Sequence, residues 1–97
     1  MITTKERANL RRIANSMQPI FQIGKSGVTE AVIATVDEAL TARELIKIRA
    51  LETCPVTAKD ASAEICAAIG ADGVQVVGRV IVLYRENPDI RAYAERI

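Results

Sequence analysis

The sequence predicts an α/β fold, a compact α-β-α-β-α-β-β sandwich built on a four-stranded mixed sheet. Three observations predict it. Apolar residues recur at helical spacing in three stretches, each opened by a threonine and each followed by a short apolar run of strand length. The last two such runs are separated only by Gly78-Arg79, which reads as a type II′ hairpin turn. At 97 residues, 49% of them hydrophobic, the chain has one core and no room for a second. The β-α-β-α-β middle calls for parallel pairing through right-handed crossovers, closed by a final antiparallel strand.

The first helix opens on a capping box, with Thr3 as N-cap and Glu6 reaching back to it. Leu10, Ile13, Ala14 and Met17 then form its apolar stripe, and Pro19 stops it. Lys5, Arg7, Arg11 and Arg12 line its other faces. Ile20 to Ile23 is the first strand, and a loop over 24–27 follows. The second helix runs from about Thr29 to Ala42, with Val28, Val32, Val36, Ala39 and Leu40 inward. Glu44 to Leu51 is the second strand. Ile46, Ile48 and Ala50 face one way, and Leu45, Lys47, Arg49 and Leu51 the other, because the strand period is two. A half-basic second face predicts that this strand is covered on one side only. Thr57 caps a third helix whose stripe is Ala61, Ile65, Ala68 and Ile69, ended by Gly70. Gly73 to Val77 and Val80 to Tyr84 form the hairpin, with Arg79 exposed at its tip. Asn87-Pro88-Asp89 reads as a turn, and Ile90 to Ile97 as a short helical tail. The whole chain, 1–97, is thus one domain with its core in about 3–85 and a tail over 86–97.

Charge is informative by distribution and not by total. Net charge is +1, yet the stretch from Met1 to Thr29 holds Lys5, Arg7, Arg11, Arg12 and Lys25 against the single acid Glu6. The rest is net acidic, so one region carries a local positive footprint. That N-terminal stretch is Arg-rich and amphipathic like a transit peptide, but its apolar face continues into the domain and it reads as structure. No apolar run approaches the ~20 residues of a membrane span, so no membrane partner is expected. A cytoplasmic location is expected, with Cys54 and Cys66 as free thiols. With no histidine and no C-x-x-C pair, neither a metal site nor a cofactor is expected. Catalytic constellations are missing as well: there is no Ser/His or Cys/His pairing, and the acids are scattered. The expectation is a binding protein, not an enzyme.

The stretch that points to a ligand is Ile23-Gly24-Lys25-Ser26-Gly27-Val28-Thr29-Glu30. A strand, a glycine-bounded loop and a helix N-terminus bring backbone N–H groups and the positive end of a helix dipole toward an anion. The two glycines are expected to allow close approach and positive φ. Lys25 adds charge and Ser26 a hydroxyl, so a phosphate is the natural guest. A Walker A loop requires a glycine where Pro19 stands, and a dinucleotide loop requires a third glycine. A G-x-x-G clamp on nucleic-acid backbone is the physics used by KH domains, although there the loop joins two helices. RNA is favoured over duplex DNA, because no basic recognition helix with base-reading residues stands out.

Several spaced blocks resemble the YhbY family of single CRM domains, the chloroplast RNA splicing and ribosome maturation module. They are Leu10-Arg11-Arg12-Ile13-Ala14, Pro19, Ile23-Gly24-Lys25-Ser26-Gly27-Val28-Thr29-Glu30, Ala39-Leu40, Glu44-Leu45-Ile46-Lys47-Ile48-Arg49, and Gly78-Arg79-Val80-Ile81-Val82-Leu83-Tyr84-Arg85. The resemblance spans Thr3 to Arg85. It implies a fold like the C-terminal domain of bacterial translation initiation factor three, and an RNA-binding protein associated with large ribosomal subunit precursors, whose RNA partner would be ribosomal. It also implies that Gly24, Lys25, Ser26 and Gly27 contact RNA backbone while Arg11, Arg12, Lys47 and Arg49 widen the surface. Lys5, Arg43, Arg79 and Arg85 are secondary candidates, the last two either touching RNA or supporting the fold. The family commonly has histidine at the positions of Asn15 and Arg43; Arg43 keeps a donor and gains permanent charge. The near-neutral total charge keeps a second expectation open, a protein-interaction module recruited to the ribosome through a ribosomal protein or GTPase. A monomer is expected.

Overall fold

The computed structural model describes residues 2–93. Its elements are α1 (Thr4–Ala14), β1 (Phe21–Ile23), α2 (Glu30–Arg43), β2 (Leu45–Ala50), α3 (Ala58–Ile69), β3 (Asp72–Val77) and β4 (Val80–Tyr84), in the expected α/β order. Each helix starts at its predicted threonine. Thr3 Oγ1 accepts from the Glu6 N–H at 3.1 Å while the Glu6 carboxylate accepts from the Thr3 N–H at 2.8 Å, completing the capping box. Thr29 and Thr57 accept from the N–H groups of Val32 and Asp60 at 3.2 and 3.1 Å. α1 ends at Ala14, before Pro19 has any part in stopping it, and Met17 packs against the core from beyond the helix.

The sheet order is β1-β2-β4-β3, with β1 and β2 parallel and β4 antiparallel to both its neighbours. β3 therefore runs in the expected direction, parallel to β2, but does not pair with it. β4 lies between them. Its Ile81, Val82, Leu83 and Tyr84 are all buried, and an unbroken apolar run is what a strand covered on both faces requires. β3, with Val76 and Val77 exposed, takes the edge.

Two cores lie on opposite faces of this sheet. Ile23, Val36, Leu40, Ile46, Ile48, Ala61, Ile65, Ile81 and Leu83 join β1, β2 and β4 to α2 and α3. Leu10, Ala14, Leu45, Val74, Val82 and Tyr84 join the other face to α1. The expectation that β2 is covered on one side only is corrected here: α1 covers Leu45, leaves Lys47 half-buried and stops short of Arg49, which is exposed. The stripe of α3 also shifts. Ala58, Ala61, Ser62 and Ile65 face in, while Ala68 is exposed, since Ile69 already holds that turn.

Past β4 the chain turns at Asn87, whose Oδ1 accepts from the Asp89 N–H at 3.0 Å. Residues 90–93 are turns and not the start of a helix; the rest of the expected helical tail, 94–97, lies outside the described residues. A buried acid anchors this segment. Glu44, fully buried with φ 63°, accepts from the N–H groups of Asn87 and Ala92.

Candidate functional site

Strand directions gather three loops at one end of the sheet. β1 runs into the 24–27 loop and β2 into the 51–57 loop, and the register sets Ile23 beside Ala50. The Ala50 N–H donates to the Arg79 carbonyl at 2.8 Å, which brings in the β3–β4 turn. Gly78 has φ 59° while Arg79 stays outside the left-handed region, as a type II′ turn requires. The N-termini of α2 and α3 both open at this end, so both helix dipoles present their positive poles there. First-turn acids Glu30 and Asp60 offset part of that field.

The 24–27 loop is a tight turn, closed by the Gly27 N–H donating to the Gly24 carbonyl at 3.0 Å. Its two glycines are unlike. Gly27 is buried with φ 71°, and a Cβ there would lie 3.1 Å from Pro55 Cγ, so both backbone and packing demand glycine. Gly24 needs neither: its φ is not positive and a Cβ would project into open space. The expectation of positive φ thus holds for Gly27 alone. Lys25 and Ser26 between them are exposed, and among the described residues their N–H groups donate to no protein acceptor.

The basic residues divide by what they touch. Lys25, Arg11, Lys47 and Arg49 have no ion pair or side-chain hydrogen bond among the described residues. Among the described residues the Arg12 side chain bonds only to Asn9 of its own helix, at 2.9 Å. Arg49 is the penultimate residue of β2, near the loops. Lys47, one pleat earlier on the same face, lines a shared hollow with Asn15 at the C-terminus of α1, whose last turn carries Arg11 and Arg12. The strand end and the helix end therefore lie on one face of the sheet, at the end where the 24–27 loop follows β1.

Other candidates lie elsewhere or are engaged. Arg79 shares that end but sits 3.6 Å from Glu52 in an exposed pair. Lys5 opens α1 and Arg43 closes α2, so both are at the far end of the sheet. Arg85 takes the fold-supporting role of its two alternatives. Its guanidinium donates to Asp37 Oδ1 at 2.6 Å, the Asp37 carbonyl at 3.0 Å, Thr41 Oγ1 at 2.9 Å and the Ile69 carbonyl at 3.0 Å. Arg7, a face residue in the sequence, donates to the Gly73 carbonyl at 3.1 Å and ties α1 to the bulge in β3. Sequence signals do not separate such arginines from the free ones, because the acceptors come from distant strands and helices.

Of the two thiols, Cys66 has its pKa raised, chiefly by burial; a hydrogen bond with Ser62 opposes the shift and the Asp72 charge adds to it. It stays protonated at neutral pH, unlike the thiolate that a nucleophilic cysteine presents.

The molecule is thus an α/β sandwich that presents an open strand-loop-helix turn beside cations unpaired among the described residues. Residues 2–85 match the CRS1 / YhbY (CRM) domain family, and the chain belongs to it. The probable RNA-binding protein YqeI of Bacillus subtilis is 39% identical over 89 residues, covering 92% of this chain and 93% of that protein. An RNA-binding protein of Haemophilus influenzae is 30% identical over 95 residues, covering 98% and 96%. The solution structure of SAV1595 from Staphylococcus aureus superposes with a TM-score of 0.68 at 38% identity, covering 90% of this chain and 91% of that one. Its α/β fold is the one described here.

Proposed function

We propose that this protein is a non-enzymatic RNA-binding protein of the cytoplasm that acts as a monomer on ribosomal RNA in large-subunit precursors. The observation that carries the reading is the open loop at 24–27. It offers unbonded N–H groups and Lys25 at the N-terminus of α2, with Arg49, Lys47, Arg11 and Arg12 continuing the surface. RNA-binding names among relatives of nearly full coverage support RNA as the ligand. The loop N–H groups and Lys25 hold successive phosphates, and the arginines set the orientation of the domain along the strand.

Lys25→Glu tests this. Lys25 is exposed and its side chain makes no hydrogen bond or ion pair among the described residues, so the melting temperature stays unchanged. Affinity for a ribosomal RNA fragment falls about tenfold, since one phosphate contact is replaced by a repulsion. Binding by the unaltered protein weakens steeply as salt rises. In gradient sedimentation of lysate, the protein comigrates with large-subunit precursors at low salt, and Lys25→Glu does not. Comigration that survives both high salt and Lys25→Glu would instead favour recruitment through a ribosomal protein or GTPase.

A further inference from the structure

On the α1 face of the sheet, beyond the point where α1 stops, lies an open hollow of about 360 Å³. Asn15, Lys47, Gln75, Val77, Val80 and Val82 line it. Register explains the grouping. Lys47, Val82 and Gln75 form one cross-strand row, and Arg49, Val80 and Val77 form the next. α1 ends at Ala14 with Asn15 as its cap, so among the described residues no helix lies above the second row. Val77 is left 59% exposed, although every other valine of β4 and its partner row is at least half-covered.

The chemistry of this lining is selective. Its floor is aliphatic, which a bare phosphate would not choose, because burying a charge against apolar atoms costs far more than leaving it in water. Among the described residues its rim holds one cation and no acid, and Arg49 stands next along β2, which suits a polyanion and not a basic or neutral apolar partner. The side-chain amides of Asn15 and Gln75 make no hydrogen bond among the described residues. Each can therefore donate and accept toward a planar polar edge. The volume is at the lower limit for small-molecule pockets, the size of a ring and not of a larger ligand.

We propose that this hollow receives one unstacked nucleobase of a single-stranded RNA, its face on Val77, Val80 and Val82 and its polar edge on the Asn15 and Gln75 amides. Lys47 and Arg49 take the phosphates on either side. The proposal rests on the RNA-binding reading above and adds a base contact to a surface that otherwise holds only backbone. Single-stranded segments are the ones whose bases can be splayed out in this way.

The test compares a short mixed-sequence single-stranded RNA with an abasic oligomer of the same length, using the whole chain with labelled valine methyls. The intact RNA shifts the methyl signals of Val77, Val80 and Val82 and binds about fivefold more tightly than the abasic strand, the weak end of base stacking because no aromatic ring is present. Val77→Ser, an exposed and charge-neutral change, narrows that gap while the abasic strand binds as before. Equal affinity for both strands with unmoved valine methyls overturns the base pocket and leaves backbone binding standing. No binding of either strand overturns the RNA reading and the pocket with it. Valine shifts that appear with protein concentration alone, without RNA, make the hollow a self-association face and also overturn it.

Discussion

At the far end of the sheet Arg85 has four acceptors within 3.0 Å, on α2 and α3, and its side chain is only 23% exposed. At the loop end Lys25 and Arg49 are exposed and bonded to nothing among the described residues. The same formal charge does opposite things. One end converts an arginine into a strut between two helices and the last strand. The other leaves its cations solvated, where they cost little to redirect onto a ligand. In a domain of net charge +1, what is offered to an anion is set by where the cations are unpaired and not by how many there are.

The largest expected effect is at the strut. Arg85→Ala removes its bonds to α2 and to the Ile69 carbonyl. Asp37 is 52% exposed and recovers water, which holds the loss to about 2 kcal/mol. Thermal unfolding should report that loss, while RNA affinity measured well below the transition stays as it was. A large fall in affinity with little change in melting would erase the distinction between the two ends.

The glycine pair sharpens the same comparison inside the loop. Gly27→Ala is strained at φ 71° and crowds Pro55, and should cost about 1 kcal/mol in unfolding experiments. Gly24→Ala meets no atom within 4 Å and should leave stability within about 0.5 kcal/mol of the original. RNA affinity should nevertheless fall a few-fold, because the new methyl stands where the backbone of the ligand approaches. Undiminished affinity in Gly24→Ala would move the phosphate contact away from that glycine.

The smallest effect is invisible near neutrality. Tyr84 has its pKa pushed from 10.0 up to about 12, first by burial and then by Glu44, Glu86, Glu6 and Asp72. The fold prefers the neutral phenol, so this contribution is whole below pH 10 and is lost as pH rises through about 12. Melting temperature should drop across that window, and Tyr84→Phe should flatten the drop. An identical alkaline profile in both proteins would remove Tyr84 as the cause.

Local chemistry was legible in the sequence, and long-range pairing was not. Thr3 with Glu6, Thr29 and Thr57 announce their helices because a cap acts within one turn. Gly78-Arg79 announces its hairpin for the same reason. β4's insertion between β2 and β3 has no local cue, since strand neighbours are chosen by which runs need cover on both faces. Glu44 reads only as the first residue of a strand, and the backbone N–H groups of Asn87 and Ala92, more than forty positions on, are what make its burial tolerable. In the candidate site, the loop 24–27 could be found from spacing alone. The base-sized hollow could not, because it depends on where α1 ends relative to a row of β3 and β4.

The position of β4 has a consequence for how this chain becomes a protein. The strand that occupies the middle of the sheet with β2 is the last one made. Until Val80–Tyr84 leaves the ribosome, β2 and β3 have no bond to each other and each presents an open edge. Folding of the sheet must then wait for the last of the described strands and proceed as one step around it. Released polypeptides that stop at the Gly78-Arg79 turn should be more exposed to proteolysis and to wrong pairing than those that extend past Arg85, which should be protected throughout the sheet.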